Sequence, residues 1–394
     1  MVTPDGATRA TVPIRAGRVD ASHAAWAYQL DLRDHLIFPG LINAHDHLHV
    51  NAVPPLLPQT PFANSYAWIE AFQAHFEHDD VEAALRMPKA LRMWHGALKN
   101  LLAGTTCVAH HDPWHPVLDA ADFPVALLRD YGWSYALGRP QYGPPARQSF
   151  LATPPEWPWM IHLAEGTDAI AQAEFAQLDT LGCLSANSVL VHGVGLRRPD
   201  IERVIASGAA VVWCPGSNRT LLGRTLDPRR LCEAGRLALA SDSRLSGARD
   251  LLEELRGVLD NSGLTAAQLL ALVTTQAADI LRLPGRGALV PGAHADLIIV
   301  EDLGGDAVRS LVGIERSQLR AVVRDGVPQI ADPDFAEWFA VTGVDTVPVK
   351  LDGKPKLLAR HLAEPALIAL EPGLESSTVA QEQVRDLAME ARYY

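Results

Sequence analysis

The sequence predicts an α/β chain, a distorted (β/α)8 TIM barrel carrying a small β-sandwich domain built from both termini. Three observations lead there. Between about residues 37 and 290, short apolar runs alternate with amphipathic stretches. Those runs are almost continuously apolar, which marks strands buried on both faces of a parallel sheet. Both ends carry short β patterns with turns: ATVPIRAGRVD early, then GALVPGAHADLIIVED and LRAVVRDGVPQI late. The expected division is a β domain from 1–38 and 288–335, a barrel from 39–287, and a polar, partly helical C-terminal extension from 336–394.

Taken in order, the strand candidates are HLIFPGLI (35–42), GTTCVAHH (104–111), WPWMIHLA (157–164), SVLVHGV (188–194), AAVVWCP (209–215) and RLALASD (236–242). Amphipathic helix candidates cover 167–181, 197–207, 227–235 and 247–258. Repeats of roughly 25–30 residues in the second half suit a barrel or a doubly wound sheet. No GxGxxG follows the first strand, so a dinucleotide-binding sheet has no support. Residues 112–156 leave little room for two more βα units: 123–138 can give one strand or two, and the Pro- and Gly-rich 138–158 reads as loop. One short or irregular unit is expected there. In the extension, RHLAEPALIALEP and STVAQEQVRDLAMEARYY are both compatible with helix.

Composition narrows the function. The 394 residues carry 34 basic and 46 acidic side chains, a net charge of −12. Such a chain is a poor general binder of nucleic acid or of anionic membranes. No apolar run is long enough to span a bilayer, and the N-terminus lacks the apolar core of a secretory signal. The four cysteines, Cys107, Cys183, Cys214 and Cys232, are scattered without CxxC spacing, which suits reduced thiols in the cytoplasm.

Fifteen histidines are the unusual feature of that composition, and their placement carries the chemistry. In PGLINAHDHLH, His45 and His47 are two apart, so a strand puts both on one face, and His49 extends that face by one step. Two adjacent imidazoles can hold a borderline cation such as zinc or iron(II). The run MIHLA carries His162, SVLVHG carries His192 and RLALASD ends in Asp242, each a lone polar group at the C-terminal end of an apolar strand. A buried polar group without a partner costs about 1–3 kcal/mol. One metal ion satisfies all of these groups together. Asp46 alternates outward and suits a supporting ion pair. Of His110 and His111, one must face inward, and His111 is the better choice; His115 suits a surface loop.

The ordered motifs HxH, HLAEG (162–166), VHGVGL (191–196), CPGSN (214–218) and SDSRLSGARDLLEE (241–254) resemble the amidohydrolase superfamily. The similarity is nearest to its cytosine-deaminase-like, atrazine-chlorohydrolase-like branch. GTTCVAHH and VTTQAADILRLPGRGALVPGAHADLIIVE (273–301) extend it over about residues 10–330. The resemblance implies metal ligands His45, His47, His162 and Asp242, with Glu165 as proton shuttle. It implies that His192 polarises substrate or adds a ligand, and that Asp242 also serves the attacking water. It implies one divalent ion per chain, zinc or iron(II); no lysine sits at a strand end to bridge a second ion. Substrate contacts are expected from His49, His111, His192, Ser217 and Asn218. In CPGSN, Pro215 and Gly216 read as a turn within which Asn218 bonds backbone, and Arg219 and Arg224 read as solvent-facing or carboxylate-binding.

The implied activity is hydrolysis of a non-peptide C–N bond in a small cyclic molecule, by deamination or amide hydrolysis. Displacement of chloride on a heterocycle, or an inactive scaffold of the same fold, are the alternatives. The family also implies a cytoplasmic homodimer acting on a small molecule.

Overall fold

The computed structural model describes residues 1–21 and 27–376. Two small hairpins come first, β1 (Val2–Thr3) with β2 (Gly6–Ala7), and β3 (Ile14–Arg15) with β4 (Arg18–Val19). The 35–42 run divides at Gly40 into β5 (His35–Pro39) and β6 (Leu41–Asp46), which enter different sheets. Gly40 is required there: a Cβ would lie 2.3 Å from Thr106 Oγ1.

Seven further parallel strands follow β6: β7 (Thr105–His110), β8 (Ala126–Leu127), β9 (Gly132–Ala136), β10 (Trp159–Leu163), β11 (Ser188–His192), β12 (Ala210–Trp213) and β13 (Leu237–Leu239). They pair in two arcs, β6-β7-β8 and β9-β10-β11-β12-β13. The arcs share one interior. Ile42, Ala44, Cys107, Ala109, Met160, Val189, Val191, Ala210, Val212, Ala238 and Ala240, from alternate positions, form a single buried cluster. Between the β13 and β6 ends a side chain bridges the two arcs: Ser241 N–H donates to Asn43 Oδ1 (3.1 Å) and Asn43 Nδ2 to Ser241 Oγ (2.9 Å).

Helices cover the outside: α1 (Ser65–His75), α2 (Asp79–Arg86), α3 (Lys89–Leu102), α4 (Ala146–Ala152), α5 (Ala169–Thr180), α6 (Arg198–Ser207), α7 (Pro215–Leu222), α8 (Arg229–Glu233) and α9 (Leu251–Leu259). Asp168 and Asp250 cap α5 and α9, and Gly208, at φ 77°, ends α6 in the left-handed conformation that glycine tolerates. The CPGSN segment corrects its sequence reading: it is the start of α7, with Pro215 at the first helical position. Residues 112–156 hold two strands, because β8 is only two residues long and no helix intervenes before β9.

After α10 (Ala266–Leu272) and α11 (Thr275–Ile280) the chain returns to β structure. Here lie β14 (Leu297–Glu301), β15 (Leu319–Arg324), β16 (Val327–Ala331), β17 (Thr346–Leu351), β18 (Lys354–Ala359) and β19 (Leu374–Ser376), with α12 (Ala307–Val312), α13 (Ala336–Val341) and α14 (Pro365–Leu370) between them. The antiparallel sheet runs β19-β17-β18-β16-β15-β14-β5, so β5 joins the chain's early part to its late part. The extension from 336, expected to be partly helical, mixes helix and sheet: α13 is helical, α14 forms within RHLAEPALIALEP, and β17 and β18 form a hairpin through Asp352 and Gly353, whose φ values are 47° and 81°. The stretch 377–394, expected as helix, lies outside the described residues. Among the described residues, no helix is long and apolar enough to cross a membrane.

Candidate active site

Four strand ends bring the chemistry together. His45, at the end of β6, is fully buried, and neither of its ring nitrogens has a hydrogen-bond partner. Its Nε2 lies 3.7 Å from Asp242 Oδ1, and His47 Nε2 lies 3.9 Å from the same oxygen. His47 Nε2 is 3.3 Å from His162 Nε2. His45, His111 and His162 form one group whose ligand-capable atoms lie within 4.8 Å of one another; His45, His192 and Asp242 form a second.

Backbone strain aims these groups. Ala164, His192 and Asp242 have φ values of 53°, 74° and 56°, each just past a parallel strand or at its end. Left-handed backbone at non-glycine residues costs about 1–3 kcal/mol each and persists where the surroundings over-determine it. Ala164 is held by its N–H donating to Glu174 Oε2 (2.7 Å) and its carbonyl accepting from Gly195 N–H (2.7 Å).

Hydrogen bonds then fix the tautomers. His162 Nδ1–H donates to Tyr135 O (2.8 Å), His47 Nδ1–H to Asp112 Oδ2 (2.5 Å), and His192 Nδ1–H to Asn218 Oδ1 (2.9 Å). Each partner accepts only, so each ring turns Nε2 inward. Asp242 is gripped as firmly. Its Oδ2 accepts from Ser217 Oγ (2.8 Å) and Ser246 Oγ (3.2 Å), and its Oδ1 from Ser243 N–H (2.7 Å).

Burial, then the surrounding imidazoles, hold His45 and His162 well below the ordinary histidine range. Burial, then His47, pushes His111 down to about 3. Burial would lower His47 too, but the Asp112 carboxylate outweighs it and raises His47 to about 9. Glu165 sits over the cluster with Oε1 3.5 Å from His192 Nε2. Its pKa is raised, first by burial and then by the Asp242 carboxylate, against the opposing pull of His192. Inward-facing imidazole nitrogens converging with a fixed carboxylate around the unpartnered His45 in a buried site match the preferences of a borderline divalent cation.

The other candidates sort differently. His111 faces inward as read, but its Nε2–H is committed to Ser134 O (3.0 Å) and its ring stacks on His162 at 4.4 Å. Ser217 and Asn218, read as substrate contacts or as orienting the groups near Asp242, are buried and hold Asp242 and His192; the Asn218 side chain bonds His192 and Thr225 Oγ1 (3.0 Å). His49 does not extend the strand face. The strand ends at Asp46, and His49 lies in the 3-10 turn Leu48–Val50, 3.4 Å from Asp112 Oδ2. His110 accepts from Leu48 N–H (3.3 Å), and Arg219 bonds Asn261 on the outside. His115 caps the 3-10 turn Pro116–Asp119.

Asp46 makes a buried ion pair with Lys99 (3.0 Å) and accepts from Asn51 and Asn100 (2.9 and 2.7 Å). Asp112 is a supporting residue to which the sequence had assigned no role. Its signal was its position directly after two histidines at a strand end.

The Amidohydrolase family matches residues 156–329. A 5-methylthioadenosine/S-adenosylhomocysteine deaminase from Nitratidesulfovibrio vulgaris is 27% identical over 353 aligned residues, 76% of this chain and 79% of its own. An aminodeoxyfutalosine deaminase from Deinococcus radiodurans is 46% identical over 71 residues, 18% of this chain and 17% of its own. Among solved structures, an atrazine chlorohydrolase from Arthrobacter aurescens complexed with zinc superposes with a TM-score of 0.65 at 18% identity, covering 84% of this chain and 94% of that one. A zinc-bound adenosine deaminase from Xanthomonas campestris gives 0.59 at 20% identity, covering 79% and 85%.

Proposed function

We propose that the chain, which matches the Amidohydrolase family over residues 156–329 and resembles deaminase relatives, is a metal-dependent hydrolase of that superfamily that deaminates a small nitrogen heterocycle. The observation that carries this reading is the inward turn of Nε2 on His47, His162 and His192 around unpartnered His45 and the carboxylate of Asp242. His45, His47, His162 and Asp242 would hold one divalent ion per chain, zinc or iron(II), with His192 beside them. Such an ion, when bound, lowers the pKa of a coordinated water to about 7 and polarises the substrate.

The remaining work falls to this chain's side chains. Asp242, oriented by Ser217, Ser243 and Ser246, accepts the proton of the attacking water. Glu165 passes a proton to the leaving nitrogen, and its burial shifts its pKa upward, the direction that favours the proton-carrying form. His192, its Nδ1–H taken by Asn218, offers a lone pair rather than a second N–H to the cavity, which favours ligation or acceptance of a substrate N–H over oxyanion stabilisation.

Deamination leads because the sequence relatives are named as deaminases of amino-substituted heterocycles. Displacement of chloride is the second reading, prompted by the atrazine chlorohydrolase likeness. The retained donor set argues against an inactive scaffold. The same reading places the protein in the cytoplasm, consistent with four unpaired, buried cysteines, and as a homodimer, which light scattering tests. The test of function is ammonia release from a panel containing adenosine, 5-methylthioadenosine, S-adenosylhomocysteine and aminotriazines. Turnover of an amine that Glu165→Gln abolishes supports deamination. Chloride release from chlorotriazines with no ammonia from any amine would replace it.

A further inference from the structure

Glu371 ends α14 in the C-terminal segment, far in sequence from the strand ends, yet it is only 2% exposed. Arg244 grips its carboxylate with both arms, Nη1 to Oε2 and Nη2 to Oε1, each at 2.8 Å. Arg316 donates to Oε1, and His95 of α3 faces Oε2 at 2.9 Å. Arg316, itself fully buried, is also clasped by Asp352 (2.9 and 3.0 Å) and by Pro372 O (2.5 Å). The Glu371 and Asp352 carboxylates thus face the Arg244 and Arg316 guanidiniums, with Arg249 3.5 Å from Asp352, in a largely buried cluster that joins α3, the sheet and the C-terminal segment to one loop.

That loop carries Asp242. Arg244 lies two residues beyond it, and Arg244 N–H donates to Asn51 Oδ1 (3.0 Å). The same Asn51 oxygen accepts from Lys99, and its amide donates to Asp46 between His45 and His47. The loop is therefore held from one side by the β6 strand end and from the other by Glu371. Between those holds the loop is tied mainly to itself and to Ser217: Ser246 N–H and Gly247 N–H return to Ser243 O (3.2 and 2.8 Å), Ser246 Oγ bonds Asp242 and Ser217, and Arg244 Nε donates to Arg249 O (2.8 Å). The left-handed φ of 56° at Asp242 needs outside support to persist.

We propose that Glu371 is a positioning residue that acts through Arg244 to hold the 242–247 loop, and with it the Asp242 carboxylate, in register with the three histidines. This rests on the reading of Asp242 as a metal ligand. A guanidinium fork gripping both carboxylate oxygens fixes orientation as well as distance, which a lysine ammonium does not. The C-terminal segment is then part of the working site, although it lies beyond the span that the Amidohydrolase family matches.

The test uses the full-length protein and two variants, Glu371→Gln and Arg244→Lys, the second preserving charge in case the first fails to fold. Hydrogen exchange on metal-free protein reads the loop directly, and zinc release to a chromophoric chelator reads the site. The expected result for either variant is exchange in 241–247 faster by about tenfold or more and zinc release faster by about 10- to 100-fold, the usual effect of losing outer support for a ligand. Exchange in β14–β16 stays unchanged. Faster exchange spread evenly over the chain, or confined to 364–376 with zinc release unchanged, would overturn the proposal and leave Glu371 a fold-stabilising residue. A wild-type protein that takes up no zinc defeats the functional reading instead, and exchange in 241–247 then decides the role of Glu371 alone.

Discussion

Replacing Asp112 isolates one hydrogen bond whose consequence is calculable. Its Oδ2 accepts His47 Nδ1–H at 2.5 Å, and the pair is mostly shielded from water. Hydrogen bonds to charged groups contribute about 1.5–3 kcal/mol. At 1.36 kcal/mol per tenfold, losing that support weakens zinc binding by roughly 10- to 150-fold. The usual effect of removing a histidine's outer partner, about 10–100-fold, falls in the same range. Asp112→Asn keeps an acceptor and should sit at the low end; Asp112→Ala should sit at the high end. The assay is competition for zinc against a chelator of known affinity, with circular dichroism to check the fold. A folded Asp112→Ala protein that binds zinc within about twofold of wild type would refute the argument that His47 needs this partner.

Glu165→Gln should keep its zinc while the turnover rate falls by roughly 10²–10⁴-fold, measured by paired metal analysis and steady-state kinetics. Lys99→Met leaves Asp46 charged and buried, and should cost about 3–5 kcal/mol in denaturant unfolding. Adding Asp46→Asn to it should recover part of that loss. Gly96→Ala drives a methyl to 2.2 Å from Leu48 O, so α3 and the turn after β6 must separate; a loss of about 1–3 kcal/mol is expected by the same measurement. Glu254 is buried, and burial raises its pKa to about 8. The folded chain then holds a proton that the unfolded chain releases near pH 4.5, so this group's contribution to stability falls as pH rises from about 4.5 to 8. Its Glu254→Gln variant should show a flatter stability–pH profile across that window, by on the order of a few kcal/mol.

The strands and the groups at their ends were legible because the signal is local. A single His or Asp closing an apolar run is visible in MIHLA, SVLVHG and RLALASD without any partner in view. What surrounds those groups was less so. Ser217 and Asn218 looked like loop residues because Pro215 and Gly216 suggest a turn, whereas Pro at the first helical position is equally at home. His49 escaped period-two logic because the strand ends at Asp46 and the chain turns. The region 346–376 read as a tail because β17 alternates with exposed residues at a sheet's far side, a weak pattern when its neighbours β18 and β19 are not known. Glu371 had no signal at all: its partners Arg244, Arg316 and His95 lie 127, 55 and 276 residues away.

The most direct test of a metal-dependent hydrolase built on these strand ends is a zinc titration of chelator-stripped protein, followed by turnover of an amine substrate found in the panel. Activity should be absent without metal, rise linearly and break at one equivalent per chain, and His45→Ala should remain inactive at that point. Full turnover by the stripped protein would contradict the account, as would a break at two equivalents or activity restored in His45→Ala by one equivalent.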